Sequence, residues 1–120
     1  MERAEQTDQT FPKSDRLLKR SEFRRVYDAG KKVHGRLFTA FVLESDSGAL
    51  RIGLTVTRKV GASFERNRCR RLLREAFRKH RTTAGRVGAD VVVNAKREMI
   101  KAAYADVEAE MVKLLTRIRR

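Results

Sequence analysis

Arginine is concentrated in one short segment of the chain, residues 66–81, which reads RNRCRRLLREAFRKHR. Seven of these sixteen residues are arginine and one is lysine, while the only acidic residue among them is Glu75. Guanidinium groups form paired hydrogen bonds with phosphate and stack on bases, so a dense set of them is typical of proteins that bind nucleic acid. The chemistry that this segment offers is therefore recognition of a polyanion.

A helix over this segment separates its charges from its apolar residues. Successive residues of a helix are rotated by about 100°, so the residues predicted to face the core share about a third of the helix circumference. They are Cys69, Leu72, Leu73, Ala76, Phe77 and His80. The opposite face, here called the cationic stripe, consists of Asn67, Arg70, Arg71, Arg74, Arg78 and Arg81. Arg66 and Arg68 flank the stripe near its N-terminal end. From the residues alone, Asn67 is equally well a helix N-terminal cap.

The charges of the stripe repel one another. Six pairs of arginines lie three or four residues apart, among them Arg66/Arg70, Arg70/Arg74 and Arg74/Arg78. At about 0.2 to 0.5 kcal/mol per pair, the repulsion amounts to roughly 1 to 3 kcal/mol. Arginines near the start of the helix also oppose its dipole. A merely solvated helix face would mix its signs, so this pattern favours a surface that binds phosphates, which relieve both penalties.

The composition of the whole chain favours the same class of partner. A length of 120 residues with 41% apolar residues is typical of one domain with one core. A formal net charge of +14 and a pI near 11.0 predict a polyanionic partner, nucleic acid before an anionic membrane surface. The positive charge is local, since residues 58–81 hold ten Lys/Arg against two acids, whereas residues 1–30 hold seven against six.

Cysteine usage and hydropathy bear on the compartment. Cys69 is the only cysteine, which excludes an intrachain disulfide and gives no sign of an oxidising compartment. No stretch approaches the roughly 18 apolar residues of a membrane-spanning helix. A membrane-surface role for the basic helix is disfavoured, because its apolar face is needed for the core. We therefore expect a cytoplasmic protein without a membrane partner.

The N-terminal part of the chain predicts a tail and a short helix. Residues 1–15 are polar and mixed in charge, and we expect them to form a flexible tail that precedes a single RNA-binding α+β domain at residues 16–120. Ser21 is predicted to cap a helix that Gly30 ends. One apolar stripe of that helix is formed by Phe23, Val26 and Tyr27.

The middle of the chain predicts strands. The segments RLFTAFVLE at 36–44 and ALRIGLTVT at 49–57 are rich in β-branched and aromatic residues, and the SDSG turn between them predicts a hairpin. Apolar residues occupy both the odd and the even positions of the first segment, which indicates a central position in the sheet. The second alternates, and its buried face is predicted to consist of Leu50, Ile52, Leu54 and Val56.

A basic helix over 63–81, a buried strand over 88–95 and a terminal helix complete the domain. The terminal helix is predicted from apolar residues at helical spacing, which run from Ile100 through Tyr104 to Ile118. The element order α-β-β-β-α-β-α predicts an α+β fold, roughly a four-stranded sheet packed by three helices.

The residues predict no enzyme site within the chain. His34 and His80 are distant in sequence, and His80 shares the apolar helix face with Cys69. Glu65 and Glu75 lie ten residues apart among arginines and make a poor metal-binding pair. The segment KVGASFERN lacks the Gly-Lys-Ser/Thr ending of a phosphate loop. We therefore predict no catalytic residue, and no cofactor or metal bound by the protein alone.

The segment RNRCRRLLREAF, preceded by GLTVTRKVGASFE, resembles the signature of the bacterial ribonuclease P protein subunit. That signature is a strand, a basic turn and a helix that begins Arg-Asn-Arg, and the likeness extends over about residues 12–118. The family more often has lysine at the position of Arg70 and phenylalanine at that of Tyr27. The resemblance also implies a left-handed crossover from the strand ending near Thr57, through the basic helix, to the strand near Val91.

The resemblance implies two sets of binding residues. The set that contacts the ribozyme RNA comprises Arg58, Lys59, Arg66, Asn67, Arg68, Arg70, Arg71, Arg74 and Arg78. A cleft between the first helix and the sheet is expected to hold the 5′ leader of precursor tRNA, and its aromatic positions are Phe23, Tyr27 and Phe41. From the residues alone, Phe23 and Tyr27 at this spacing are more often core than binding platform.

The function implied by the resemblance is that of a protein subunit of the ribonuclease P ribonucleoprotein, which removes the 5′ leader from precursor tRNA by RNA-catalysed hydrolysis. The expected partners are ribonuclease P RNA and the precursor leader, with no protein partner required and with magnesium held through the RNA. The alternative is a general RNA-binding or ribosome-associated protein without a processing role. That alternative predicts the same stripe but has no need of an aromatic cleft.

Overall fold

The structure is a computed structural model that describes residues 16–119. The predicted tail at 1–15 and the last residue lie outside the described residues, so the division into tail and domain stays a prediction. The elements are α1 (Arg20–Ala29), β1 (Lys31–His34), β2 (Phe38–Glu44), β3 (Leu50–Thr55), α2 (Ser63–His80), β4 (Ala89–Ala95) and α3 (Tyr104–Arg119). Short 3₁₀ helices follow α2 and β4. The predicted α+β fold and its element order are confirmed.

The four strands form one mixed sheet in the order β1-β2-β4-β3. β2 pairs antiparallel with β1 and β4, while β3 runs parallel to β4. The predicted hairpin between 36–44 and 49–57 is therefore wrong, although a strand forms in each segment. The reason is β4, whose valines at 91–93 are all buried, so that this strand takes the place between β2 and β3. The intervening turn instead bonds to the start of β4, since the Ser45 N–H donates to the Gly88 carbonyl at 2.9 Å.

The connection from β3 to β4 is a crossover through α2, because these two parallel strands are neighbours in the sheet. A parallel pair requires such a crossover. The left-handedness implied by the family resemblance stays a prediction.

The two faces of the sheet carry different helices. α2 and α3 cover one face, where Ile52 of β3, Phe77 of α2 and Met111 of α3 belong to the main core. α1 lies on the other face, where Val26 packs with Val92 of β4. The central position predicted for the first strand is confirmed, since β2 has a neighbour on each edge.

The apolar face of α2 lies against this core as predicted. Its buried residues are Cys69, Leu73, Ala76 and Phe77. Leu72 and His80 are only partly buried, and His80 Nε2 lies 2.6 Å from Glu108 Oε2 of α3. Burial raises the pKa of the Cys69 thiol, so this cysteine stays protonated and unreactive near neutral pH.

The predicted cap of the first helix is wrong. α1 begins at Arg20, so Ser21 lies inside the helix and makes no capping hydrogen bond. Glu22 takes that part, because its Oε1 accepts the N–H groups of Leu18 and Lys19, each at 3.0 Å. A carboxylate in the first turn is also favoured by the helix dipole, which a serine hydroxyl exploits less.

The terminal helix begins later than predicted. Ala102 has an extended backbone, and the α-helix starts only at Tyr104. The carbonyl oxygens of Ile100, in the preceding 3₁₀ helix, and of Ala102 accept hydrogen bonds from the Arg68 guanidinium at 3.1 and 3.0 Å, so this connection is fastened to α2. The end predicted for the first helix is confirmed, since Gly30 follows its last residue.

One charged network, here called the Arg51 network, ties α1 to the sheet. Arg51 Nε and Nη2 donate to the two carboxylate oxygens of Asp90, both at 3.1 Å, and Nη1 donates to Glu22 Oε2 at 3.1 Å. Asp90 is 3% exposed and is the only fully buried charged residue among residues 16–119. Because Arg51 and Asp90 are register neighbours on β3 and β4, the network joins two strands to the first turn of α1.

Acid is expected to weaken the Arg51 network. Hydrogen bonds from the backbone N–H groups of Lys19 and Leu18, together with Arg51, lower the pKa of Glu22 below its usual 4.5. Such a carboxyl stabilises the fold fully above its unfolded pKa, and this contribution is lost as the pH falls through the lower, folded value. We expect urea denaturation to show a free energy of unfolding that decreases from about pH 6 to about pH 3, and that decreases less in Glu22→Gln.

The matched control is Asp46→Asn, which neutralises an exposed carboxylate in the turn between β2 and β3. This variant should keep the pH dependence of the unsubstituted protein. If Glu22→Gln kept it too, the capping carboxylate would have no part in acid stability.

Candidate nucleic-acid interface

The cationic stripe of α2 faces away from the core. Asn67, Arg71 and Arg74 are exposed, while Arg70 and Arg78 on the same face are partly buried. The buried side chains of α2 lie on the other side of the helix. The structure thus brings these predicted residues together on one solvent-facing surface.

Arg81 departs from the predicted stripe. α2 ends at His80, and Arg81 opens the following 3₁₀ helix. Its guanidinium carbon lies 5.5 Å from the centre of the Phe77 ring, which belongs to the core face. Arg81 was placed in the stripe by extending the helix to residue 81, but α2 ends one residue earlier.

Three arginines of the stripe and the flanking Arg66 have no carboxylate partner within residues 16–119. Arg78 pairs with Glu75 of the same helix at 2.6 Å. Arg66, Arg70, Arg71 and Arg74 form no ion pair with any carboxylate of residues 16–119. Their charge therefore remains available to an external anion.

The surroundings of Arg74 disfavour its positive charge. Burial lowers the pKa of its guanidinium, and the positive charges of Arg16 and Arg70 lower it further. The folded chain thus disfavours the charged form of Arg74. An external phosphate near this position would compensate both effects.

Asn67 contributes to the stripe and does not cap the helix. α2 begins at Ser63, four residues earlier, with Ala62 as its cap residue. The amide oxygen of Asn67 accepts a hydrogen bond from Arg70 Nη1 at 3.1 Å. Arg70 Nη2 also donates to the carbonyl of Val56, at 3.4 Å. These contacts orient the Arg70 guanidinium while leaving it without a carboxylate.

Arg68 has a structural contact that sequence reasoning missed. Its two terminal nitrogens bind the backbone carbonyls of Ile100 and Ala102, which lie at the end of the 3₁₀ helix before α3. Arg68 therefore fastens the start of α2 to the connection that leads into α3. No local signal announces this contact, because its partners lie more than thirty residues along the chain.

Arg58 and Lys59 extend the basic surface. Both are exposed and lie in the turn that follows β3, which closes with a hydrogen bond from the Val60 N–H to the Thr57 carbonyl at 3.0 Å. This turn leads directly into α2. The predicted basic region is thus continuous along the chain from the end of β3 into the helix.

The three predicted cleft aromatics meet on the α1 face of the sheet. Phe23, Tyr27 and Phe41 belong to one cluster and are each partly buried. The Tyr27 and Phe41 rings are edge to face, with centroids 5.0 Å apart and planes at 87°. Phe23 packs on Gly53, where an added Cβ would lie 2.6 Å from its ring. These side chains therefore both pack and present ring surface to solvent.

Polar groups lie beside these aromatics, and sequence reasoning missed them. The Tyr27 hydroxyl donates to Asn94 Oδ1 at 2.8 Å and shares a hydrogen bond with Thr55 Oγ1 at 2.8 Å. Lys32 Nζ lies 5.7 Å from the centre of the Phe41 ring. The sequence did offer a signal for Asn94. It alternates with Asp90 along β4, and alternate residues of a strand share a face.

No group of three His, Cys, Asp or Glu side chains within residues 16–119 is arranged to hold a metal ion. Over the same residues, no helix is both long and apolar enough to cross a membrane.

Comparison with known proteins agrees with the fold and identifies the family. A family model described as Ribonuclease P matches residues 11–119. The ribonuclease P protein component of Desulfosudis oleivorans is 38% identical over 111 residues, covering 92% of this chain and 91% of that protein. That of Desulfovibrio desulfuricans is 42% identical over 114 residues, covering 92% and 87%. The RNase P protein from Thermotoga maritima superposes with a TM-score of 0.78 at 27% identity, covering 86% of this chain and 96% of that one.

The chain belongs to the ribonuclease P protein family. It is a protein subunit of the ribonuclease P holoenzyme, the ribonucleoprotein that cleaves precursor tRNA. Membership of the family implies partnership with ribonuclease P RNA. The resemblance stated from the Arg-Asn-Arg segment is confirmed.

Arg68 and Arg71 are expected to differ in their effect on stability, although both are arginines of α2 in the basic region. Arg68→Ala leaves two backbone carbonyls without their donor and should lower the free energy of unfolding by about 1 to 3 kcal/mol. Arg71 is exposed and forms no ion pair with residues 16–119, so Arg71→Ala should change that energy by less than about 0.5 kcal/mol. Urea denaturation measures both free energies. Equal effects would show that the hydrogen bonds from Arg68 to Ile100 and Ala102 do not stabilise the fold.

Proposed function

We propose that this subunit binds ribonuclease P RNA through its basic region and the 5′ leader of precursor tRNA through the cleft between α1 and the sheet. The basic region comprises Arg58, Lys59, Arg66, Asn67, Arg68, Arg70, Arg71, Arg74 and Arg78. The cleft residues are Phe23, Tyr27 and Phe41. The observation that supports the proposal most strongly is the set of stripe arginines that have no carboxylate partner within residues 16–119.

The basic region acts by neutralising backbone phosphates. Arginine forks contact phosphate through paired hydrogen bonds, and several forks on successive helical turns can follow a folded RNA backbone. Two of the five N–H donors of Arg68 are engaged by carbonyls, so it contributes with the donors that remain. Binding here stabilises the folded ribozyme and relieves the repulsion along α2.

The cleft acts by stacking. Aromatic side chains bind unpaired bases with about 1 to 3 kcal/mol each and with little sequence preference, which suits leaders of many sequences. The ammonium group of Lys32 beside Phe41 adds a cation for the leader backbone. The Arg51 network ties the first turn of α1 to the sheet on the face that carries these aromatics.

Catalysis in the proposed holoenzyme belongs to the RNA. The RNA subunit holds the magnesium ions and performs the hydrolysis, while the protein, with no cofactor of its own and no further protein partner, positions the RNA and the leader in the cytoplasm. The stripe supports this division, because its guanidinium groups suit phosphate binding and not proton transfer near neutral pH.

Reconstitution tests the proposed role. Added to ribonuclease P RNA at low magnesium, the folded protein should restore cleavage of precursor tRNA. The Arg70→Ala, Arg74→Ala double variant should need more protein for the same rate, because it binds the RNA more weakly. Failure of the unsubstituted protein to restore cleavage, with RNA binding intact, would favour a general RNA-binding protein without a processing role.

The cleft makes a separate prediction. Phe23→Ala with Tyr27→Ala should weaken holoenzyme binding of precursor tRNA by at least about fivefold while leaving mature tRNA nearly unaffected, since only the precursor has a leader to stack. Phe41→Leu keeps apolar packing but removes a ring, and should show the same selectivity to a smaller degree. Thermal melts identify any variant that has unfolded. Equal losses for precursor and mature tRNA in folded variants would assign these aromatics to the core alone.

A further inference from the structure

Phe64 is an exposed aromatic residue inside the basic region. It is 74% exposed and is the only exposed aromatic residue among residues 16–119. It is the second residue of α2, so Asn67 and Arg68 lie three and four residues further along the helix, next to its side chain. Arg58 and Lys59 lie in the turn that leads into the same end of the helix. A large apolar ring thus lies exposed within the basic region, one helical turn from Asn67 and Arg68.

The usual structural roles do not account for Phe64. Its exposure shows that it does not fill the core. A hydrophobic staple pairs the residue before the cap with the fourth helical residue, and these are Gly61 and Arg66. Phenylalanine is also a weaker helix former than leucine, lysine or glutamate. Single exposed apolar residues are common on proteins, but here the surroundings are those of a nucleic-acid interface.

We propose that Phe64 stacks on an unpaired base of ribonuclease P RNA while the neighbouring cations hold the adjacent phosphates. Aromatic rings interleaved with basic side chains are the arrangement by which proteins bind unpaired nucleotides. Every base offers a π face, so the contact requires no particular base. The inference rests on the proposed binding of ribonuclease P RNA by the basic region.

Affinity measurements with four variants test the stacking. Phe64→Ala should weaken binding to ribonuclease P RNA by about 5- to 150-fold, the range expected for one stacked base. Phe64→Leu should weaken it similarly, because leucine is apolar but has no ring, whereas Phe64→Tyr and Phe64→Trp should keep the affinity. The salt dependence of binding should not change in any of the four, since none alters the charge of the protein.

A fluorescence measurement reports the contact directly. The chain contains no tryptophan, so Phe64→Trp introduces a single reporter at this position. Its emission should be quenched when ribonuclease P RNA binds, and should change little with a fully paired RNA duplex. Thermal melts are expected to be unchanged, because the side chain is exposed.

The outcomes separate this inference from the function on which it rests. Unchanged affinity in Phe64→Ala with unquenched Trp emission would overturn the stacking, and so would full affinity in Phe64→Leu. If the Arg70→Ala, Arg74→Ala variant still bound weakly in that same experiment, the basic region would keep its proposed role. If neither the arginine nor the Phe64 variants changed binding, both proposals would fail.

Discussion

Repulsion among the arginines of α2 is the constraint on which the rest of the structure depends. Burial and the positive charges of Arg16 and Arg70 disfavour the charge of Arg74. The five arginine pairs that lie within α2 add a repulsion of roughly 1 to 2.5 kcal/mol. The helix forms because its other side is buried. A large side chain such as Leu73 or Phe77 contributes about 1.5 to 3 kcal/mol on burial, so two or more of them outweigh that repulsion. The buried side of α2 therefore holds the arginines together on one surface, and bound phosphates reduce the repulsion among them.

The sheet serves two purposes because its two faces differ. One face is sealed by α2 and α3 and forms the main core. On the other face, alternate residues of β4 do three different things: Asp90 anchors Arg51, Val92 packs with Val26, and Asn94 binds the Tyr27 hydroxyl. The charged anchor and the apolar contact fix α1 at one end of this face. The same face carries the Tyr27 and Phe41 rings and the hydrogen bonds of the Tyr27 hydroxyl.

The spacing of apolar residues predicted the local features of the fold. It did not predict the contacts between segments that are distant in sequence. The bounds of α2 and its buried face followed from helical spacing, whereas β1 (Lys31–His34) was assigned to no segment by any pattern. The hairpin prediction failed because turn chemistry at 45–48 says nothing about β4, which pairs with both neighbouring strands only after the chain returns. Arg68 was placed with the RNA-binding residues alone, since no nearby residue reveals its carbonyl partners. The aromatic cleft was predicted through family resemblance, but Asn94 and Thr55 lie on strands whose neighbours the sequence did not reveal.

The salt dependence of binding to ribonuclease P RNA tests the central claim most directly. With about six phosphate contacts, the slope of log affinity against log salt concentration should be about −4 to −5 for the unsubstituted protein. Removing two of those contacts in the Arg70→Ala, Arg74→Ala variant should make the slope shallower by about 1.4 to 1.8. A nearly flat response, or the same slope in both proteins, would show that the uncompensated charges of α2 do not bind the RNA backbone.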